Sequence, residues 1–291
     1  METRRQANLE SGQEPVQALI YRIEDFFSAQ ASTRGVSLLR FLWPLMIWTR
    51  VGSEWVLFRN LEPWRFGVAL LFFAATTAMC VGFWSRLSTL VTGLLGAFFF
   101  YGMGHGMDVE PYTHHHTYLL FMLPLLLALT PCGASLSVDR HFALRRAKAK
   151  HQPPPIEQGP DWGRTLIVLQ TSAIYAFACW AKLEWGHLSG ERMEHYAMHL
   201  YLGSDYPTWA GFHAMMVLLS VCAIGIEGVL AVGLFVKRWH RWVLPLGLLL
   251  HGVIYVTLPV GTFSLSMAAL YLVVLDPKVL HGFIDRMFGH A

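Results

Sequence analysis

Apolar residues run in long blocks separated by short polar stretches. Blocks at 36–55, 66–83, 87–103, 116–129, 165–183, 209–236, 239–260 and 263–275 approach the roughly 20 residues that a helix needs to cross a hydrocarbon core of about 30 Å. The fourth and last are short and need tilt or their flanks to cross. The pattern predicts an all-α, polytopic bundle of about eight spans. Ahead of it, Val16, Leu19, Ile20, Ile23, Phe26 and Phe27 recur at helical spacing, with Arg22, Glu24 and Asp25 elsewhere around the wheel. That predicts an amphipathic helix lying on the inner membrane surface. The first 35 residues carry charges throughout, so no secretory signal is expected. The stretch 152–160, with Pro153, Pro154 and Pro155, reads as a linker between spans. The organisation is then a cytoplasmic segment 1–35, a membrane domain 36–275 and a cytoplasmic tail 276–291. No internal repeat is apparent.

Composition sharpens this reading. Hydrophobic residues make up 54% and charged residues 14% of the chain, and mean hydropathy is +0.42, which sets it apart from ordinary soluble domains. Basic residues fix the expected orientation. Arg4, Arg5, Arg22, Arg34, Arg86, Arg140, Arg145, Arg146, Lys148, Lys150, Arg164, Lys237, Arg238, Arg241, Lys278 and Arg286 fall on one side, against Arg59, Arg65 and Arg192 on the other. The asymmetry predicts an integral membrane protein with both termini in the cytoplasm. The net charge of +3 then describes topology beside anionic lipid, and nucleic acid is not an expected partner. Cys80, Cys132, Cys179 and Cys222 lie far apart and read as small apolar residues.

Chemistry is expected where ionisable groups from different spans converge. Lys182 closes a nearly charge-free span, where an ammonium must snorkel, find a partner or act. Tyr175 stands seven residues earlier and so shares its face, with Gln170 on the same span. The loop before the fourth span holds His105, Asp108, Glu110, His114, His115 and His116, and His251 lies about twelve residues into the seventh. All are expected in the outer half. Arg40 and Glu227 are expected nearer the inner side as an interhelical pair. Tyr112, Tyr118, Trp180 and Trp185 could shape an entrance or form an interfacial aromatic belt. His195 and His199 are spaced for one face, yet no further ligand completes a set, so no metal is expected. H-E-x-x-H, G-x-S-x-G, glycine-rich phosphate loops and c-type haem motifs are absent from the sequence.

At these residues a resemblance emerges. Gln170-x4-Tyr175, Ala181-Lys182-Leu183, Gly190, His116-Thr-Tyr-Leu119, Leu136-Ser-Val-Asp139, Arg40-Phe41-Leu42, His251 and Phe263-Ser-Leu-Ser-Met267 resemble, in order and spacing, the vitamin K-dependent gamma-carboxylases and their bacterial relatives, the HTTM domain proteins. The likeness runs over about residues 15–275. It implies a reduced naphthoquinone of vitamin K or menaquinol type, a lysine base that deprotonates it, reaction with dioxygen, and carbon dioxide as a further reactant. Lys182 matches the catalytic lysine, and His116 and His251 match histidines around the quinol. His115, Tyr118, Gln170 and Tyr175 are the accompanying substrate-binding candidates. The family carboxylases have a lysine before the catalytic one, where this chain has Ala181, and a large lumenal region after the spans, where this chain is expected to end in a short tail. The expected function is a quinol-dependent oxygenase or carboxylase-like enzyme, a lyase or oxidoreductase, coupled to a peptide or protein substrate supplied from outside the membrane. The alternative is a non-catalytic assembly or peptide-maturation partner; a transporter is less favoured because no paired broken helices appear.

Overall fold

The computed structural model describes residues 14–57, 63–107 and 115–288, with side chains over 17–52, 63–107 and 117–286. Among the described residues the protein is all-α apart from one short strand pair. Helix α1 (Glu14–Ser28) leads into strand β1 (Gln30–Ser32), then α2 (Arg34–Leu57), α3 (Pro63–Val81), α4 (Ser85–Ala97, continued by π-helical turns Phe98–His105), α5 (His115–Ala128) and α6 (Val138–Ala149). Strand β2 (Gln158–Pro160) follows, then α7 (Trp162–Ala181), α8 (Trp185–Leu188), α9 (Glu191–Ala197), α10 (Phe212–Gly233), α11 (His240–Thr257), α12 (Gly261–Leu270) and α13 (Pro277–Phe288). β1 and β2 run antiparallel with Ala31 opposite Gly159. The pair fastens the entry to α2 against the entry to α7.

By length and composition, three helices among the described residues can cross a membrane: Pro63–Val81, Ser85–His105 and Phe212–Gly233. A fourth is possible where Gly261–Val273 and Pro277–Arg286 meet at 107° and count as one broken span. Of the remaining expected spans, α5 is a 14-residue helix. The others are diluted by polar groups: Arg40 and Arg50 in α2, Arg164 and Gln170 in α7, and Arg241 and His251 in α11. Several of these groups turn inward, where a membrane helix can keep polar side chains only by giving them partners.

Close helix approach depends on small residues. A face of Ser85, Ser88, Thr89, Thr92, Gly93 and Gly96 is buried along α4, and it receives α5. A Cβ at Gly93 would meet Leu125 Cδ2 at 2.5 Å, and one at Gly96 would meet Phe121 Cβ at 2.7 Å. Without a hydrophobic drive between helices in lipid, this intimacy supplies the packing energy. Around it lies a core of Leu39, Trp43, Ile47, Phe72, Phe121 and Leu127, continuous with Ile167, Tyr175, Leu230 and Met267.

Arg40 sits at the centre of one end, fully buried. Its guanidinium donates to the carbonyls of Cys132 (3.1 Å), Cys80 (2.8 Å), Leu136 (2.6 Å) and Met79. Met79 and Cys80 are in the last turn of α3, where free carbonyls and the helix dipole favour a cation. The chain then turns at Gly82 with φ +74°, and a Cβ there would fall 2.4 Å from Ser137 Cβ. The same end gathers Arg34, bonded to Glu157 at 2.6 Å and Asp285 at 2.7 Å, which ties α2, the linker and α13 together.

Candidate functional site

Helix α7 rises about 10 Å between Tyr175 and Lys182 at 1.5 Å per residue, and presents both on one face. Lys182 is the C-terminal cap, its own N–H bonded to the Cys179 carbonyl at 3.1 Å. An ammonium suits this position, since the last carbonyls of the helix carry partial negative charge. Trp180 and Trp185 flank it and are each about three-quarters exposed at 75% and 76%.

Two turns deeper, Tyr175 enters a chain of polar groups from three helices. Its hydroxyl lies 2.7 Å from His251 Nε2 on α11 and 2.5 Å from the Tyr271 hydroxyl just past α12. All three residues are buried. Room for the Tyr271 hydroxyl exists only because α11 has Gly247 one turn before His251: a Cβ there would stand 2.0 Å from the oxygen. Phe263 closes the other side of the His251 ring, with centroids 5.9 Å apart.

Lys182 Nζ is 2.5 Å from Glu227 Oε1 on α10. The Glu227 side chain is 8% exposed and that of Lys182 27%. The two polar groups lie along one face of α7 as a single cluster, Tyr175 two turns below Lys182. Two buried atoms in it have no hydrogen-bond partner: Glu227 Oε2 and His251 Nδ1. Buried polar atoms are rarely left so.

The expected Arg40–Glu227 pair is corrected by this geometry. Arg40 spends its donors on carbonyls of α3 and the loop after α5, and Glu227 takes Lys182 instead. The physical reason is the stagger of α7 against α10. Cys179 packs near Gly228, so α7 ends level with Glu227, and the first turns of α10 project beyond it. There α8 and α9 fold back, with Ser220 Oγ donating to the His187 carbonyl at 2.6 Å. Glu227 is thus level with the end of α7 that carries Lys182.

Of the other candidates, Gln170 is half-buried on α7, five residues below Tyr175. Tyr118 is half-buried and edge-on to Phe100 at 5.2 Å. His115 and His116 begin α5, but their side chains lie outside the described ones, as do residues 108–114. Asp139, part of the expected motif Leu136–Asp139, caps α4: it accepts from Trp84 N (3.0 Å), Ser85 N (2.7 Å) and Ser85 Oγ (2.7 Å). A hollow of about 410 Å³ borders this cap, lined by Trp84, Arg86, Pro131 and Asp139; it is at the far end of α7 from Lys182. The His195 and His199 rings stack at 6.0 Å, and among the described residues no three His, Cys, Asp or Glu side chains group to hold a metal. On the surface, the Tyr206 hydroxyl donates to Glu194 at 3.0 Å, and that carboxylate raises the phenol's pKa above its ordinary value.

Glu227 as the partner of Lys182, and Tyr271 with Gly247, are what sequence reasoning misses. The available signal is a glycine four residues before His251 on the same helical face. With this geometry in place, comparison with known proteins is informative. Residues 41–278 match the family model of the HTTM domain. No curated protein and no solved structure matches the chain.

Proposed function

The chain belongs to the HTTM domain family, a family of membrane proteins related to vitamin K-dependent carboxylase, and from that premise we propose a membrane-embedded, quinol-dependent enzyme whose base is Lys182 held by Glu227. The observation that carries this reading is the Lys182–Glu227 pair beside the buried Tyr175–His251–Tyr271 chain. Glu227 Oε2 and His251 Nδ1, both buried and unpartnered, are the polar atoms that the oxygens of a bound reduced naphthoquinone would satisfy. Such a reduced naphthoquinone supplies, when bound, the electrons that reaction with dioxygen requires.

The side chains do the rest. Lys182 Nζ and Glu227 Oε1 are in direct contact and act together. A proton released by a ligand hydroxyl is taken by Nζ when the amine is neutral. Protonation of the pair ends in two opposite charges at 2.5 Å, which avoids an unpaired buried charge. His251 orients a ligand oxygen, with its ring fixed by Tyr175 and Phe263. His116 is the second orienting histidine in this reading. The helices bury Tyr175, Glu227 and His251 and keep water from competing on that side of the amine.

Arg34, Arg86, Arg140 and Arg164 are tied to groups at one end of the bundle, and Lys182 caps the other end of α7. By the bias of basic residues toward the cytoplasm, we place both termini inside a bacterial inner membrane and the site in the outer half. A peptide or protein substrate would arrive there as a separate partner, with carbon dioxide as the further reactant. Purified protein given reduced menaquinone or vitamin K and oxygen should form quinone or its epoxide, and Lys182→Ala should abolish turnover. Turnover that persists in that variant rejects the assignment. The second reading, a non-catalytic assembly or maturation partner, draws on the same ion pair as an interhelical tie. It is favoured if the double variant Lys182→Met/Glu227→Gln retains full biological activity.

A further inference from the structure

We infer that Tyr175 is a positioning residue that holds His251 as the tautomer with its proton on Nδ1, so that the ring presents a hydrogen-bond donor to an acceptor oxygen of the ligand. The tautomer follows from a count of protons. Tyr271, Tyr175 and a neutral His251 bring three, along a chain with two contacts, Tyr271 to Tyr175 at 2.5 Å and Tyr175 to His251 Nε2 at 2.7 Å. If the chain runs from Tyr271 through Tyr175 to Nε2, both phenol protons are used, and only the Nδ1–H lacks a partner. If it runs the other way, Nε2–H donates to Tyr175 and Tyr175 to Tyr271. The Tyr271 proton and the Nδ1 lone pair are then both stranded in a buried place. Each direction leaves one buried donor unpaired, but the second strands the Nδ1 acceptor as well and loses its hydration without return, so the first direction prevails.

The site is therefore polarised. His251 Nδ1 donates, whereas Glu227 Oε2, its carboxylate held by Lys182 through Oε1, accepts. A ligand that satisfies both has a hydroxyl at one end and a carbonyl or oxyanion at the other. That is the form a quinol reaches on losing one proton. This ligand assignment rests on the quinol reading above, while the tautomer does not. Tyr271 contributes by filling the acceptor side of Tyr175, in the space that Gly247 leaves.

Two measurements test it. In protein labelled with nitrogen-15 histidine, the spectrum of wild type minus that of His251→Asn isolates the His251 ring. It should show a protonated Nδ1 and a bare Nε2, and Tyr175→Phe should mix the two tautomers. A protonated Nε2 with a bare Nδ1 overturns the inference, whatever the ligand. Binding of menadione, whose two oxygens only accept, should weaken about five- to tenfold in Tyr175→Phe, the scale of one net hydrogen bond. His251→Asn, whose amide nitrogen overlies Nδ1, should retain affinity, and adding Tyr175→Phe to it should cost nothing more. His251→Asp, which offers an acceptor there, should lose binding. Equal binding by wild type and His251→Asp overturns the donor role. If wild type binds neither menadione nor, without oxygen, its quinol menadiol, the quinone reading fails, and the tautomer stands or falls on the spectrum alone.

Discussion

Lys182 Nζ on α7 and Glu227 Oε1 on α10 stand 2.5 Å apart, with the carboxylate almost fully buried and the amine at the helix end. Removal of the amine alone leaves a buried charge without its partner, which is the costly half of breaking such a pair. Because Lys182 remains partly exposed, Lys182→Met should lower stability toward or below the lower end of roughly 3–5 kcal/mol. Lys182→Met/Glu227→Leu should recover most of that loss. Thermal unfolding in detergent reads both, and a double variant as unstable as the single one would show that the pair is not the source.

Much of this site is legible in the chain, for reasons that differ residue by residue. Tyr175 and Lys182 share a face because seven residues are close to two helical turns, and the structure places them so. His251 meets Tyr175 although 76 residues separate them; its depth in an apolar block already marked it as a group in need of a partner. Hydropathy pairs Glu227 with Arg40 because it sets depth only by where apolar blocks end. The stagger of α7 against α10, with α8 and α9 folded over the projecting turns, has no signature in hydropathy. Tyr271 is hidden for another reason: a tyrosine near a span's end looks like an interfacial aromatic, and only the packing of Gly247 reveals it as core.

Gly247 is the sharpest steric test. In Gly247→Ala the new Cβ would meet the Tyr271 oxygen at 2.0 Å and its Cζ at 2.5 Å, so the ring must leave and Tyr175 loses a partner. The expected destabilisation is about 1–3 kcal/mol for overpacking. Tyr271→Phe should relieve only part of it, because Cζ remains in the way, whereas Tyr271→Ala should relieve the clash itself. Melting temperatures of the three variants order these outcomes, and an undisturbed Gly247→Ala protein would contradict the close approach.

Asp139 offers a contrast between structural and chemical roles. It accepts three hydrogen bonds at the start of α4, far along the bundle from Lys182. Asp139→Ala should cost about 1–2 kcal/mol, as the loss of a helix cap does, and leave the affinity of folded protein for menadione unchanged. Denaturation in parallel with ligand titration separates the two. A loss of affinity without a loss of stability would move Asp139 into the site.

Arg40 is where replacement of like by like should fail. Its planar group reaches four carbonyls from two segments. A lysine has three donors on one nitrogen and cannot reproduce that fork. Arg40→Lys should strand at least one carbonyl, at about 1–3 kcal/mol for each buried acceptor left unpaired, and Arg40→Leu should strand those of Cys80 and Leu136, since Ser37 Oγ still reaches the Cys132 carbonyl and Gly82 N that of Met79. Because the acceptors are backbone atoms, no second substitution can remove them, and no side-chain change at Glu227 should rescue either variant. Yield of folded protein and its melting temperature should therefore fall in the order wild type, Arg40→Lys, Arg40→Leu. Rescue of Arg40→Leu by Glu227→Leu would restore the very pairing that the geometry denies.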